Sequence, residues 1–266
     1  RELEDLPSDE ELAVRGEQGT GLTAPEFSVL LAYVKIVLEK EILDSSVPDE
    51  PWTVGVLRNY FPTALRERFA AHMAEHPLRR EIVTTVLVNE AVNRGGTSFF
   101  YRATDETGAT WPDVLRAYVV VREVYGLREL WAATEALDNK VPTEAQTLVY
   151  LEGRRLLDRS VRWLVSNRRP PIDVTGEVAR LKPGIDKLLP RLDSLFRGGE
   201  RESVRRHAEE MAAAGLPGEL AEWATRLMYG FGLLDVVEAA HSTGQPLEDV
   251  ARVYFVLSER FRADDL

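Results

Sequence analysis

The stretch TGATWPDVLRAYVVVREVY, residues 107–125, lies without a gap over TGQPLEDVARVYFVLSERF, residues 243–261, when the chain is slid along itself by 136 residues. Eight of the 19 positions are identical, among them Asp113/Asp249, Val114/Val250, Arg116/Arg252, Tyr118/Tyr254 and Glu123/Glu259. In the first copy Val114, Tyr118, Val121 and Tyr125 recur at i, i+4, i+7 and i+11, and Val250, Tyr254, Leu257 and Phe261 do the same in the second. That spacing places four apolar side chains on one face of an α-helix. An acid near the start of each copy sits at the positive end of the helix dipole. The pattern predicts a duplicated helical hairpin, each copy burying the same stripe.

Carried backwards, the overlay sets Asn93-Arg94-Gly95-Gly96 on Tyr229-Gly230-Phe231-Gly232. Only the last glycine matches. A turn between helices needs a residue without a Cβ, either for positive φ or for close helix approach. Gly95, Gly96 and Gly232 are therefore read as structural turn residues. Asn93 and Arg94 are open to two readings, a helix cap with a solvated arginine or a contact to an anion or substrate.

Helical signals dominate the remainder. Thr23-Ala-Pro-Glu26 reads as a capping box, followed by Phe27, Leu30, Leu31, Val34, Val37 and Leu38 at helical spacing. Thr143-Glu-Ala-Gln146 reads as a second box opening a long helix to about residue 167. Other helices are predicted over 52–59, 62–76, 77–95, 97–107, 112–125, 127–137, 174–196, 201–214, 217–228, 231–241 and 247–262. No stretch alternates with period two and no Asn-Gly or Asp-Gly hairpin signal occurs. The fold expected is all-α, a bundle of ten to twelve helices without substantial β-sheet. Arg168-Arg-Pro-Pro171 reads as a boundary. It gives a connector over 1–22, a first helical lobe over 23–170 and a second lobe over 171–266, cut short at its C-terminal end.

Of the 266 residues 44% are apolar and 29% charged, the composition of an ordinary globular protein. The net charge of −11 offers no general attraction for nucleic acid or an anionic membrane, and neither is expected as a partner. The chain has no cysteine, which excludes disulfides and thiolate chemistry and fits a reducing cytoplasm. No apolar run approaches the roughly 18–20 residues needed to span a bilayer.

Catalytic signatures are missing. His72 and His76 have metal-ligand spacing on a helix, but no third ligand accompanies them, and a solvated face is the better reading. Gly16-Glu-Gln-Gly19-Thr-Gly21 has the glycine content of a phosphate loop without the preceding strand, and reads as a connector. Paired arginines such as Arg79-Arg80 have acids nearby and read as solvated faces. Pro77 sets Arg79 and Arg80 in the first turn of their helix, where exposed amides attract anions. Asn93 and Arg94 lie at its other end, roughly 20 Å away. The four cannot share one small ligand unless another segment folds over them.

Several long runs resemble the large multidomain bacterial NAD-dependent glutamate dehydrogenases, in the helical region after the catalytic domain. They include RGEQGTGLTAPEFSVLLAYVKIVL (15–38), LRNYFPTALRERFAAHMAEHPLRREIVTTVLVNEAVNRGGTSFFYR (57–102), ETGATWPDVLRAYVVVREVYGLRELWAATEALDNKVP (106–142) and RLLDRSVRWLVSNRRPP (155–171). The resemblance implies a parent enzyme that oxidises L-glutamate with NAD to 2-oxoglutarate and ammonia, as a cytoplasmic homo-oligomer. Its catalytic lysine, catalytic aspartate and Rossmann glycines would lie upstream, so no catalytic, cofactor or metal residue carries over to this segment. The start at Arg1 fits an excision just past the catalytic domain, which would be the partner in the same chain. The competing expectation is a free-standing all-α adaptor for protein partners.

Overall fold

In the computed structural model, which describes residues 4, 6–196 and 198–261, every regular element is helical. The chain divides into two compact units, Arg1–Ser98 and Phe99–Leu266.

The first unit opens with α1 (Asp9–Glu17), started by a capping box that the apolar periodicity does not announce, since no residue of this helix is buried. Ser8 N donates to Glu11 Oε2 at 2.8 Å and Glu11 N donates to Ser8 Oγ at 3.2 Å. Next comes α2 (Ala24–Leu43), capped by Thr23 as its sequence predicts, with Thr23 N donating to Glu26 Oε2 at 2.7 Å. Arg15 Nη1 also reaches that carboxylate at 2.9 Å. Arg15 first, then the Thr23 amide, hold the Glu26 carboxyl well below the usual range, at about 2. Two short 3-10 turns lead to α3 (Val54–Tyr60), α4 (Thr63–Arg66) and α5 (Ala70–Ala74). The core of this unit is α6 (Arg79–Gly95), whose Leu87, Val88 and Ala91 are fully buried and against which α2 and α3 pack.

The second unit contains α7 (Phe99–Thr107), α8 (Trp111–Val124), α9 (Leu127–Glu135), α10 (Thr143–Asn167), α11 (Val174–Leu188), α12 (Leu192–Leu195), α13 (Gly198–Ala213), α14 (Gly218–Tyr229), α15 (Leu233–Thr243) and α16 (Leu247–Phe261). Its centre is α8, which packs against α7, α9, α10 and α11. Residues 113–122 of α8 are all buried, the polar Asp113, Arg116 and Arg122 included. A helix buried all round has no solvent face on which to place its charges, so each must find a partner inside. Asp113 does so: Arg116 Nη1 donates to Oδ1 at 3.0 Å, Ile172 N to Oδ1 at 3.2 Å, and Thr110 Oγ1 to Oδ2 at 2.8 Å.

Two expectations about local structure change. The described residues contain sixteen α-helical segments, two of them of four residues, rather than ten to twelve. Part of the excess arises where single predicted helices are split, and α1 falls in the span read as a connector. Residues 62–76 become α4 and α5, and 174–196 is interrupted at a 3-10 turn carrying Pro190, whose ring cannot continue the α-helical ladder. The second capping box does not form. The N-cap of α10 is Pro142, which has no side-chain acceptor. Gln146 instead turns inward and donates from Nε2 to Thr134 O at 2.9 Å and Asp138 Oδ1 at 2.8 Å.

The division into units falls at Ser98/Phe99, and residues 168–171 belong to the second unit. Ionic contacts around Arg168 tie that corner together. Arg168 Nη2 donates to Glu238 Oε2 at 2.7 Å, and Arg180 Nη2 donates to Glu238 Oε1 at the same distance. Arg168 Nε lies 2.8 Å from Glu177 Oε1, a close ionic contact without hydrogen-bond alignment. The guanidinium also stacks on Trp163, 5.0 Å from the ring centre. The C-terminal end of α10 thus meets α11 and α15 at this corner.

Candidate functional site

The residues singled out in the sequence occupy separate places. Arg79 and Arg80 begin α6, and both face Asp49: Arg79 Nη2 donates to Oδ1 at 2.6 Å, and Arg80 pairs with Oδ2. Arg80 Nη2 also donates to Leu43 O at 2.5 Å and Ser45 O at 3.3 Å. A cation on the last carbonyls of α2 complements the negative end of that helix. The pair therefore pins the connection after α2 onto α6. Asn93 is exposed within the last turn of α6 and Arg94 is half-buried beside it. The structure does not gather the four residues at one point.

The two readings of the turn glycines divide between the copies. Gly95 is the buried last residue of α6, and Gly96, at φ 95° and ψ 163°, is its C-cap, with its N–H on Val92 O at 2.9 Å. That backbone region is open almost only to glycine. Asn93 is thus not the cap. Gly232 has φ −59°, an ordinary helical value. There the constraint is proximity, since a Cβ would stand 2.8–3.2 Å from the ring and hydroxyl of Tyr254.

The feature that the sequence reading passed over is the outward face of α2. This helix buries Val34, Leu38 and Ile42 within its unit. Apolar residues nevertheless continue around it, with Phe27, Leu30, Tyr33, Ile36 and Val37 each 39–57% exposed. Amphipathic surface helices normally carry polar groups on that side, and helices apolar all round are covered on all sides. Single exposed apolar residues mean little, but a contiguous row marks an interaction surface. The signal was present in the chain, as apolar residues filling both sides of one helix, and the search for a single stripe did not separate them.

Among the described residues no group of three or more His, Asp or Glu side chains is placed to hold a metal ion. No helix among them is long and apolar enough to cross a membrane.

Comparison with known proteins identifies the family of the chain. The family described as "Glutamate dehydrogenase, C-terminal" matches residues 19–266. The NAD-specific glutamate dehydrogenase of Mycobacterium tuberculosis is 38% identical over 266 residues, all of this chain and 16% of the relative. Those of Halomonas elongata and Pseudomonas aeruginosa are 36% and 38% identical over 260 and 257 residues, covering 98% and 97% of this chain and 16% of each relative. The chain spans about one sixth of the length of these relatives (16% of each). With nearly its whole length inside the match, this chain belongs to the glutamate dehydrogenase C-terminal family.

Proposed function

We propose that this chain is the non-catalytic helical region of an NAD-dependent glutamate dehydrogenase and that α2 seats it on the catalytic part of the same polypeptide. The parent enzyme deaminates L-glutamate oxidatively to 2-oxoglutarate and ammonia, with NAD as the acceptor, in the cytoplasm and as a homo-oligomer. The observation that carries the reading is the row Phe27, Leu30, Tyr33, Ile36 and Val37, apolar and exposed on the helix that opens the matched region. Full burial of a large apolar side chain contributes about 1.5–3 kcal/mol. Covering the rest of this row would stabilise a docked arrangement by on the order of 5 kcal/mol, more than any surface ion pair supplies. The absence of cysteine fits the cytoplasm, and the chemistry is assigned to the remainder of the relatives' length.

The test separates folding from docking. The isolated chain is expected to give a helical circular dichroism spectrum and no glutamate-dependent NAD reduction. The double variant Leu30→Asp/Ile36→Asp should keep that spectrum but lose association with the separately produced upstream portion. Turnover by the isolated chain, or association untouched by the double variant, would overturn the reading.

A further inference from the structure

Around the second copy of the repeat the structure leaves a cleft of about 390 Å³ between α10, the turn joining α14 to α15, and α16. Its floor is apolar, made by Leu156, Phe196 and Phe255, all buried. Tyr229, Phe231 and Tyr254 add half-buried rings. One face of α10 supplies charge, because Glu152, Arg155 and Arg159 follow at i, i+3 and i+7 and all line the cleft.

Glu152 is the unusual member. Its side chain is 4% exposed, and only Oε1 is engaged, accepting from Arg155 Nη1 at 2.5 Å. Oε2 is buried and has no hydrogen-bond partner among the described residues. A buried carboxylate oxygen without a donor is costly, and each such group calls for a partner, whether a water, an ion or a ligand. Arg159 lies over Phe231, 4.4 Å from the ring centre, which presents a guanidinium at the same wall.

The repeat shows that the rings of Tyr229 and Phe231 are not required by the helical hairpin. At the positions of Tyr229 and Phe231 the first copy has Asn93 and Gly95, and its Tyr118, the counterpart of Tyr254, is fully buried. Tyr229 and Phe231 thus line the second copy alone, and the charged residues come from α10, outside both copies.

We propose that this cleft binds a small molecule bearing both a primary ammonium group and a carboxylate, with the ammonium on the Glu152 carboxylate and the carboxylate on Arg159. Aromatic faces attract an ammonium group and cover an apolar side chain, and a guanidinium is the best-matched partner for a carboxylate. The volume suits a molecule of amino-acid size.

Three probes decide it: L-phenylalanine, phenethylamine, which lacks the carboxylate, and hydrocinnamate, which lacks the ammonium. In titration calorimetry of this chain, L-phenylalanine should bind with a Kd below about 1 mM and at least about tenfold more tightly than either analogue. Glu152→Gln should weaken L-phenylalanine and phenethylamine by about tenfold or more and leave hydrocinnamate unchanged. Arg159→Gln should do the converse. If either variant fails to fold, the ranking of the three probes on the unaltered chain still decides. Absence of saturable L-phenylalanine binding, equal affinity for L-phenylalanine and hydrocinnamate, or an affinity indifferent to Glu152→Gln would overturn the proposal.

Discussion

Helices α8 and α16 carry the same pattern, yet one is the centre of its unit and the other lies at its edge. In α8 the stripe Val114, Tyr118, Val121 and Tyr125 is buried, and so is the rest of the circumference. In α16 the corresponding stripe is not the one that packs. Val250 and Tyr254 are half-buried and Leu257 is exposed, whereas Ala251, Phe255 and Ser258, one position further along, face inward. Phe261 is described in its backbone only. Phe255 sets this rotation by packing edge-on against Phe196 at 5.2 Å. Val253, 60% exposed, is the counterpart of Ala117, which is 0% exposed. Helical periodicity names two or three candidate stripes on an apolar-rich helix, and neighbours select one of them.

The matched Asp-x-x-Arg pair shows how far position alone changes an interaction. Asp113 and Arg116 are 6% and 4% exposed, while the side chains of Asp249 and Arg252 are more than half exposed. Asp113 accepts from Thr110, Arg116 and the Ile172 amide inside the unit, so Asp113→Ala, which removes a buried charge partner and three acceptor contacts, is expected to cost about 3–5 kcal/mol in urea denaturation. Asp249→Ala should cost less than about 1 kcal/mol. Equal costs would mean that the two helices are not differently placed. A smaller contrast is expected at Val120 and Val256, which are aligned in the repeat. Val120→Ala removes two buried carbons and opens a cavity, about 2–3 kcal/mol, against about 0.5 kcal/mol or less for Val256→Ala.

The aligned glycines should respond alike in size and differ in cause. Gly96→Ala and Gly232→Ala are each expected to destabilise by about 1–2 kcal/mol. Shortening the facing ring, as in Gly232→Ala/Tyr254→Leu, should recover part of the Gly232 loss, measured as a coupling energy in a double-mutant cycle. No side-chain truncation should rescue Gly96→Ala, whose cost lies in its own backbone. The mildest effect is a pH response confined to α16. Lys187 hydrogen-bonds Glu248 and holds its carboxyl below the usual range. A depressed carboxylate contributes stability above its unfolded pKa and loses it as pH falls through the folded value. Amide-exchange protection at the start of α16 should therefore decline below about pH 4 while that of α8 persists. Parallel decline in both helices would remove the contrast.

Much of the fold could be read from particular residues. Thr23 and Glu26 specify a start because their side chains satisfy amides three residues apart, wholly within one turn. Thr143 and Gln146 have the same spelling and fail, since Pro142 takes the cap position and Gln146 finds Thr134 and Asp138 across the chain. Pro170 and Pro171 read as a boundary, and the ion pairs of Arg168 and Arg180 with Glu177 and Glu238 beside them join partners up to 70 residues apart that no local pattern announces. The site was less legible still. Arg79 and Arg80 advertised an anion in one dimension and meet Asp49 in three, and nothing local in Glu152 announces that one of its oxygens is buried without a donor.

The amino-acid order alone was enough to determine helical class, the duplication and most helix limits, because capping, periodicity and glycine geometry act over distances of a few residues. Family membership was also readable from extended stretches that resemble the family. Which stripe of each helix is covered, which charges are neutralised, and where a cleft survives were decided only by the tertiary structure. Burial and ion pairing are properties of groups brought together from distant parts of the chain, and equal local patterns acquire different energies according to what is packed beside them.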